Sequence, residues 1–386
     1  MKSPLSRLSA EARLVLHADS PRAQQAHEGL DADGEVDWEL LLNLAASERA
    51  FLPLWRSIRD LEWAQEADEA KALKRAAEVW EFKLMHLERL LYKALDTATE
   101  NGIDVMLLKG AAVTLFVYGE FGRRPMFDVD VLVRPDDARR LWDLARAGEW
   151  SWDSERFPMG SYDEAHHLPT LFDAFGSGVG LEIHSAVWLG DHPFTLGSAD
   201  YWREAVAIDV AGRRVLVPSV EHQLLHCCTH FAWSHAMRTH SWRTFRDVAA
   251  FVDCGRVDWD GFSQMATSSR AASCAYWTLR LARSANAVDV PPDVLARLRP
   301  SMPDLLLDRL EQHYIRNLVV PSGADRPCPS LALEKRLWRL GIGLGPPSEG
   351  IHLPEADSYA AKGRVNRVMH HLRRVRTWGR YLRDFV

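Results

Sequence analysis

Apolar residues recur at helical spacing through the N-terminal part of the chain. In the segment DWELLLNLAASERAFLPLWRSI, one face holds the apolar residues Trp38, Leu41, Leu42 and Ala45. A period of about 3.6 residues indicates an amphipathic helix. A second run, AEVWEFKLMHLERLLYKALDTATENG, keeps this period as far as Gly102, and glycine commonly ends helices. We therefore expect residues 1–102 to form a helical N-terminal unit.

Short apolar stretches replace this pattern after Gly102. IDVMLL predicts a strand that ends at Lys109, and AAVTLFVY predicts a helix after it. PDDARRLWDLARAG predicts a helix that begins near Pro135 and stops at Gly148. Between them, FDVDVLV alternates, so that one face holds Phe127, Val129, Val131 and Val133 and the other holds Asp128, Asp130 and Leu132.

A second alternating segment, GLEIH, places Gly180, Glu182 and His184 on one face of a strand. Strands that alternate with helices of about ten residues indicate a sheet covered by helices. We therefore expect residues 103–217 to form an α/β core.

The helical period returns at Pro218, in SVEHQLLHCCTHFAWSH and WRTFRDVAAFVDCG, and predicts a helical domain over residues 218–320. The stretches VVPSGADRPCPS and GIGLGPPSEGIHLPEADS are rich in Pro, Gly and Ser, which predicts loops. Residues 321–386 are therefore expected to be a loop-rich extension that ends in a basic helix.

The end of the chain carries a strong positive charge. Between Lys362 and Val386 there are eight Lys or Arg residues and one acid, Asp384. Apolar residues interspersed with these charges fit a helix whose basic face is solvated. The same face could instead contact phosphate, RNA or an acidic partner, and the pattern leaves both interpretations open.

Composition bounds the class of protein. The chain has 386 residues, more than the roughly 250–300 at which a single core usually stops growing, so about two or three packed units are expected. Its 47% hydrophobic and 26% charged residues are typical of soluble globular proteins. A net charge of −6 argues against a generally basic surface for nucleic-acid binding.

Cysteine usage and hydropathy point to a cytoplasmic protein. Five cysteines are an odd number without the density of a disulfide scaffold, so reduced thiols are expected. The longest apolar segment, near residues 105–118, is interrupted by Lys109, and the start of the sequence has no apolar run of signal-peptide length. We therefore expect no membrane span.

Two acids on one face of an apolar strand gain little for folding, because like charges repel and resist burial. Asp128 and Asp130 lie two residues apart, so their Cα atoms are roughly 6–7 Å apart and their carboxylates can converge on a divalent cation. Glu182 from another strand would complete an oxygen-rich site of the kind that Mg²⁺ accepts. Two such ions about 3.5–4 Å apart could hold the attacking and leaving oxygens of a phosphoryl or nucleotidyl displacement.

The turn at Lys109 and Gly110 fits the other half of such a reaction. A glycine between strand and helix lets a triphosphate approach the backbone, and Ala111 follows it in the same turn. Lys109, Arg123 and Arg124 could neutralise phosphate charge, and we expect one of the two arginines to do so.

The order of these features resembles a known family. LLKGAA, a tyrosine before the GRR loop, FDVDVLV, LEIH, HQLLHCCTHFAWSH and WRTFRDVAAFV follow one another as in nucleotidyltransferases of the polymerase-beta superfamily. The chain is also closely similar to a bacterial branch of nucleotidyltransferase family proteins, over about residues 35–255. The resemblance implies an α+β fold: a polymerase-beta-type core, with a small mixed sheet flanked by helices, between helical N-terminal and C-terminal units.

The resemblance also implies roles for individual residues. Asp128 and Asp130 would be metal ligands, Glu182 the third acid, and Gly110 part of the nucleotide-phosphate turn. Ala111 departs from the wider superfamily, which usually has Gly-Gly or Gly-Ser at this turn. The alanine removes a hydroxyl that could contact a phosphate.

Histidines recur near the predicted site. His222, His226 and His230 share a helix face at i, i+4 spacing, which suggests either a zinc site or a polar face along the acceptor cleft, with His230 nearest the acceptor. His167, in AHHLPTL, and His184 are further acceptor-side candidates. Buried, hydrogen-bonded histidines are the alternative.

These features together predict a nucleotidyltransferase that depends on Mg²⁺ or Mn²⁺. It would transfer NMP from an NTP to an acceptor hydroxyl or phosphate and release pyrophosphate, with Glu182 holding the second ion or acting as general base. The helices of residues 218–320 would wall the acceptor pocket. Rival interpretations are a DxD nucleotide-sugar glycosyltransferase and a non-catalytic nucleotide-binding module. The sequence leaves open which NTP is used, the oligomeric state, and whether the acceptor is a small molecule, a peptide, a protein or an RNA.

Overall fold

The computed structural model has a mixed α+β architecture. It describes residues 8–20, 36–162, 165–188, 192–235, 237, 241–286, 288–316 and 318–319. The predicted loop-rich extension with its basic helix, residues 321–386, lies outside the described residues.

Helices make up the described chain before the sheet. They are α1 Ala10–Leu16, α2 Trp38–Glu48, α3 Phe51–Ile58, α4 Glu62–Glu66 and α5 Asp68–Glu100. Asp37 caps α2 by accepting a hydrogen bond from the N–H of Leu40 at 2.9 Å. This helix ends where Arg49 adopts a left-handed conformation, with φ of 57°. The apolar stripe of α5 packs against α3 and the sheet.

The strands of the described residues form one mixed sheet. They are β1 Met106–Leu107, β2 Asp128–Leu132, β3 Trp150–Ser151, β4 Leu171–Asp173, β5 Gly180–His184, β6 Val206–Val210 and β7 Arg213–Val217. Their spatial order is β3-β4-β5-β2-β1-β7-β6. Strand β2 is central, parallel to β5 and antiparallel to β1. The sheet thus places the two predicted acidic strands side by side.

Short helices connect these strands, namely α6 Lys109–Val113, α7 Pro135–Arg146 and α8 Ser198–Arg203. The first of them begins at Lys109, so Gly110 lies inside its first turn rather than before it. It continues into a π-helical turn, Thr114–Tyr118. Helix α7 has Pro135 at its first position, where the missing N–H costs no hydrogen bond.

Helices return after β7, as the sequence pattern predicts. They are α9 Val220–Thr229, α10 Ser241–Asp253, α11 Trp259–Ser268, α12 Ala272–Asn286, α13 Pro292–Leu298 and α14 Asp304–Arg316. A π-helical turn, His230–Ser234, extends α9. Within the described residues, no helix combines the length and the apolarity needed to cross a bilayer.

The N-terminal helices share a buried core with the helices that follow Val220, while α5 and α7 pack on the sheet in a second core. Buried Glu48, at the end of α2, ties the two helical segments together. Its carboxylate accepts hydrogen bonds from the Ser241 hydroxyl at 3.0 Å and from the N–H of Trp242 at 3.1 Å. The end of α2 and the start of α10 are therefore held next to each other.

Candidate active site

The parallel pairing of β2 with β5 brings the predicted acids together. In this register Asp130 lies opposite Glu182, and Asp128 lies opposite Gly180. A Cβ atom on Gly180 would lie 3.0 Å from a methyl carbon of Thr170 and 3.9 Å from the Cβ of Asp128. The glycine is therefore needed for the close approach of Thr170, whereas a Cβ atom there would make only ordinary contact with Asp128.

Asp130 is the most heavily contacted of these acids. Its Oδ1 atom lies 2.5 Å from Nζ of Lys109 and 2.9 Å from Nε2 of His184. Glu182 is near both partners, with Oε2 at 3.9 Å from the Lys109 nitrogen and 3.6 Å from the His184 nitrogen. The other oxygen of Glu182 accepts a hydrogen bond from the Thr170 hydroxyl at 3.1 Å. Two carboxylates thus share one lysine and one buried histidine.

These contacts set the ionisation of the group. Burial alone would raise the pKa of Asp130 and of Glu182, but Lys109 and the hydrogen bonds from His184 lower both below their usual values. Burial would also lower the pKa of Lys109, and the neighbouring carboxylates raise it instead. Asp130 and Glu182 are therefore ionised, and Lys109 is protonated, at neutral pH.

Asp128 behaves differently from its two neighbours. Burial, together with repulsion from Asp130 and Glu182, raises the pKa of Asp128 to about 6. No described cation within salt-bridge distance offsets this repulsion, although Lys109 and Arg243 act from further away. Of the three carboxylates, Asp128 is therefore the one whose ionisation costs the metal-free fold the most free energy.

We predict that Asp128→Asn stabilises the metal-free protein at pH 7.5 by about 2–3 kcal/mol. The folded-state pKa of about 6 exceeds the ordinary value of 3.8, so protonation stabilises the fold fully below about pH 4. That contribution is lost as the pH rises through about 6 and Asp128 ionises. Asparagine does not ionise, so the variant does not lose this stability. Urea unfolding in EDTA should show the gain at pH 7.5 and little of it at pH 4. The control is Asp104→Asn, at an exposed position, and an equal gain there would contradict the explanation.

The turn between β1 and α6 is strained and closely packed. Lys109 has φ of 45°, a left-handed conformation that costs energy in a residue with a Cβ atom. A Cβ atom on Gly110 would lie 2.5 Å from Nη1 of Arg124 and 3.2 Å from the sulfur of Met126. The glycine is therefore needed for the close approach of the Arg124 guanidinium.

Arg124 is fixed by Asp247 of helix α10. Its Nε and Nη2 atoms donate to the two carboxylate oxygens at 2.8–3.0 Å, and Tyr118 donates its hydroxyl to the same carboxylate at 3.1 Å. Such a two-pronged pair fixes the plane of the guanidinium. Arg123, by contrast, is exposed and does not line the cavity.

Because the Arg124 guanidinium packs so closely against Gly110, we expect Gly110→Ala to lower the free energy of unfolding by about 1–3 kcal/mol, the usual cost of overpacking. Arg124 cannot yield easily while Asp247 holds it. Urea unfolding followed by tryptophan fluorescence measures the effect. Gly122→Ala is the matched control, since a Cβ atom there meets nothing within 4 Å. Equal stability of the two variants would show that Arg124 moves aside freely.

A cavity of about 330 Å³ opens above the acids. Its lining includes four acids, Asp128, Asp130, Glu182 and Asp247, and four bases, Arg49, Lys109, Arg124 and Arg243. The sequence pattern did not single out Arg49, Arg243 or Asp247. The sheet, the end of α2 and helix α10 thus each contribute charged side chains to one space.

The predicted histidines take different positions around this cavity. His226 and His230 line it, whereas His222 packs its ring 4.8 Å from that of Tyr201. His184 is fully buried behind the carboxylates, and His167 lies beside it, with ring centroids 5.1 Å apart. Neither His167 nor His184 lines the cavity.

The predicted turn residue Ala111 is likewise buried in the sheet-side core rather than at the cavity wall. Its side chain therefore does not reach the space above the acids.

A cation site fits the residues that are present. Asp130, Glu182 and His184 each offer one ligand atom, and these atoms lie within 4.8 Å of one another. Carboxylate oxygens suit Mg²⁺ and Mn²⁺, and imidazole suits transition metals. Among the described residues, the helical set His222, His226 and His230 does not form such a group. The acidic strand pair is thus the better candidate.

Residues 34–285 match the family described as uncharacterised nucleotidyltransferase. The chain belongs to this family. Every acid and base that lines the cavity falls within the matched range. No curated protein and no solved structure matches the chain. Membership of this family supports a transferase activity.

Proposed function

We propose that the protein has a polymerase-beta-type core and transfers NMP from an NTP to an acceptor hydroxyl or phosphate, with release of pyrophosphate. The main support is the register of β2 and β5, in which Asp130 pairs with Glu182 and Asp128 shares the strand face of Asp130. Membership of the nucleotidyltransferase family supports the same reaction class.

Asp128, Asp130 and Glu182 would hold one or two Mg²⁺ or Mn²⁺ ions. A cation between these side chains would relieve the repulsion that raises the pKa of Asp128. When bound, such an ion neutralises phosphate oxygens and favours ionisation of an attacking hydroxyl. Asp130, Glu182 and His184 form the group whose ligand atoms lie within 4.8 Å of one another, and Asp128 would join it from the strand face of Asp130. His184 would be a further ligand or would orient the two carboxylates that it contacts.

Lys109 and Arg124 would bind the triphosphate. Both side chains line the cavity, and Arg124 reaches it in an orientation fixed by Asp247. A planar guanidinium held in place suits the fixed geometry of a phosphate group. Lys109 would add a compact positive charge that contacts Asp130 and a phosphate oxygen at the same time.

The proposed transfer forms one phosphorus–oxygen bond and breaks another. The acceptor oxygen forms a bond to the α-phosphorus while the bond from that phosphorus to the bridging oxygen breaks, and pyrophosphate leaves. When the acceptor is a hydroxyl, its proton passes to Glu182 or to solvent. Glu182 is ionised at neutral pH, but its lowered pKa makes it a weak base, which favours the role of metal ligand.

The helices of residues 218–320 would form the acceptor side of the cavity. His226 and His230 line that side. Burial lowers the pKa of His226 to about 3, so its ring is neutral at physiological pH and can form hydrogen bonds without adding charge. An acceptor with hydroxyl or amide groups would suit this wall.

The direct test uses the purified protein with Mg²⁺, a pool of metabolites and RNA as acceptors, and NTPs labelled at either the α- or the γ-phosphate. We expect the α-label to become attached to an acceptor and the γ-label to appear in pyrophosphate. Transfer of the γ-label to the acceptor would contradict the proposal. Transfer of a sugar from a nucleotide sugar, seen in the mass of the product, would favour the glycosyltransferase alternative.

A further inference from the structure

The four bases of the cavity are not equally engaged. Lys109 is paired with Asp130, and Arg124 is paired with Asp247. Arg49 and Arg243 make no ion pair within 4 Å and no side-chain hydrogen bond with any other residue of the described chain. Two guanidinium groups that line one cavity therefore keep their hydrogen-bond donors available.

The position of Arg49 is costly in two ways. Its φ of 57° lies in the left-handed region, which favours glycine or asparagine. Its guanidinium is also partly buried, and burial lowers the pKa of this group. Neither feature is needed to end helix α2, since glycine would do so with less strain.

Arg243 adds to this cost, because the two arginines repel each other. Burial, together with the nearby charges of Arg124 and Arg49, lowers the pKa of Arg243 to about 10. Like charges that gather in a low-dielectric cavity are unfavourable unless an anion joins them. Asp128 attracts both arginines electrostatically, and all three side chains line the same cavity.

Contacts nearby hold the backbone segments of the two arginines next to each other, and one contact orients the Arg49 side chain. The Glu48 carboxylate accepts hydrogen bonds from Ser241 and Trp242. Arg49 follows Glu48 in the sequence and Arg243 follows Trp242, so these bonds hold the backbones of the two arginines near each other. The Arg49 guanidinium also lies 4.4 Å from the ring centroid of Phe127. Such preorganisation lowers the entropy that is lost when a ligand binds.

We propose that Arg49 and Arg243 form a phosphate-binding subsite beside Asp128. This inference rests on the proposed nucleotidyl transfer only for its biological use, since phosphate binding can be measured without turnover. The phosphate would belong either to the terminal part of the NTP triphosphate or to a phosphorylated acceptor. In both cases the planar guanidinium groups donate paired hydrogen bonds to phosphate oxygens.

The test compares Arg49→Gly with Arg270→Gly. Arg270 is also an arginine in the left-handed region, with φ of 62°, but it is exposed and does not line the cavity. Glycine relieves the same backbone strain at both positions. Both variants are expected to stay folded, with Tm within about 5 °C of the parent protein. Only the Arg49 change should affect phosphate binding.

Calorimetry in metal-free buffer gives the first readout, with tripolyphosphate as the probe. Arg49→Gly and Arg243→Gln are each expected to weaken its affinity by at least about 10-fold, while Arg270→Gly leaves it unchanged. Arg49→Lys should bind tripolyphosphate more tightly than Arg49→Gly does, because lysine restores the positive charge but not the paired N–H donors of a guanidinium. Wild-type affinity in both Arg49→Gly and Arg243→Gln would overturn the proposal.

Two further titrations identify the source of the phosphate. If the subsite holds the NTP, Arg49→Gly weakens binding of a non-hydrolysable NTP analogue but not of NMP. If the subsite holds an acceptor phosphate, Arg49→Gly binds the NTP analogue as tightly as the parent protein does. The complex of Arg49→Gly with the analogue then binds inorganic phosphate more weakly than the parent complex does. Loss of tripolyphosphate binding without any nucleotidyl transfer by the parent protein would contradict the proposed function and leave the subsite standing.

Discussion

Replacing Asp130 with asparagine is expected to reduce kcat for nucleotidyl transfer by at least about 10³-fold, which corresponds to roughly 4 kcal/mol of lost transition-state stabilisation. Asp130 is central because its carboxylate lies opposite Glu182 and contacts both Lys109 and His184. Asparagine keeps the shape of the side chain and removes its charge. The measurement is release of pyrophosphate at saturating NTP and Mg²⁺.

A folding defect must be separated from a chemical one, because Lys109 and His184 would lose their shared anion. Mn²⁺ binding measured by electron paramagnetic resonance should weaken in Asp130→Asn even where circular dichroism shows a native fold. Asp130→Glu serves as the second variant, since it keeps the charge and shifts its position. Unchanged turnover in Asp130→Asn would rule out the proposed catalytic site.

Removing the Asp247 carboxylate is expected to lower the free energy of unfolding by about 3–5 kcal/mol, the usual cost of leaving a buried charge without its partner. The side chains of Arg124 and Asp247 are only 13% and 4% exposed, so solvent cannot replace the lost pair. Tyr118 would lose a hydrogen-bond acceptor at the same time. Urea unfolding of Asp247→Ala, followed by circular dichroism, gives the change.

The same helix offers a matched control for that experiment. Asp253→Ala changes an exposed aspartate at the end of α10 and should alter stability by no more than about 0.5 kcal/mol. Adding Arg124→Ala to Asp247→Ala should recover part of the loss, since no buried charge then remains unpaired. If the two single aspartate changes had equal effects, the Arg124–Asp247 pair would contribute nothing to stability.

Much of the acidic centre could be predicted from local pattern. The alternation in FDVDVLV and GLEIH defines two strands and assigns Asp128, Asp130 and Glu182 to one side of each. The structure confirms both strands, at Asp128–Leu132 and Gly180–His184. A strand's period depends only on its own residues, which is why it can be read from sequence.

The register between the strands is a different matter. Nothing in the alternation states that Asp130 should face Glu182 rather than a residue two positions away. Arg49 and Arg243 were missed for a similar reason. Each is one basic residue near a helix end, and only tertiary packing through Glu48 brings them together. The sequence predicts that Gly110 allows a phosphate to approach, yet a Cβ atom there would first meet the Arg124 side chain.

The buried core that joins α1–α4 to the helices after Val220 has a consequence for synthesis of the protein. The N-terminal helices emerge from the ribosome first, but the Ser241 and Trp242 partners of Glu48 are made nearly two hundred residues later. At ~5–20 residues per second, residues 59–240 take on the order of ten to forty seconds to translate. During that interval the apolar faces of α2 and α3 have no native partner from the C-terminal helices. The nascent chain should therefore bind chaperones through α2 and α3, and release should follow translation of α10.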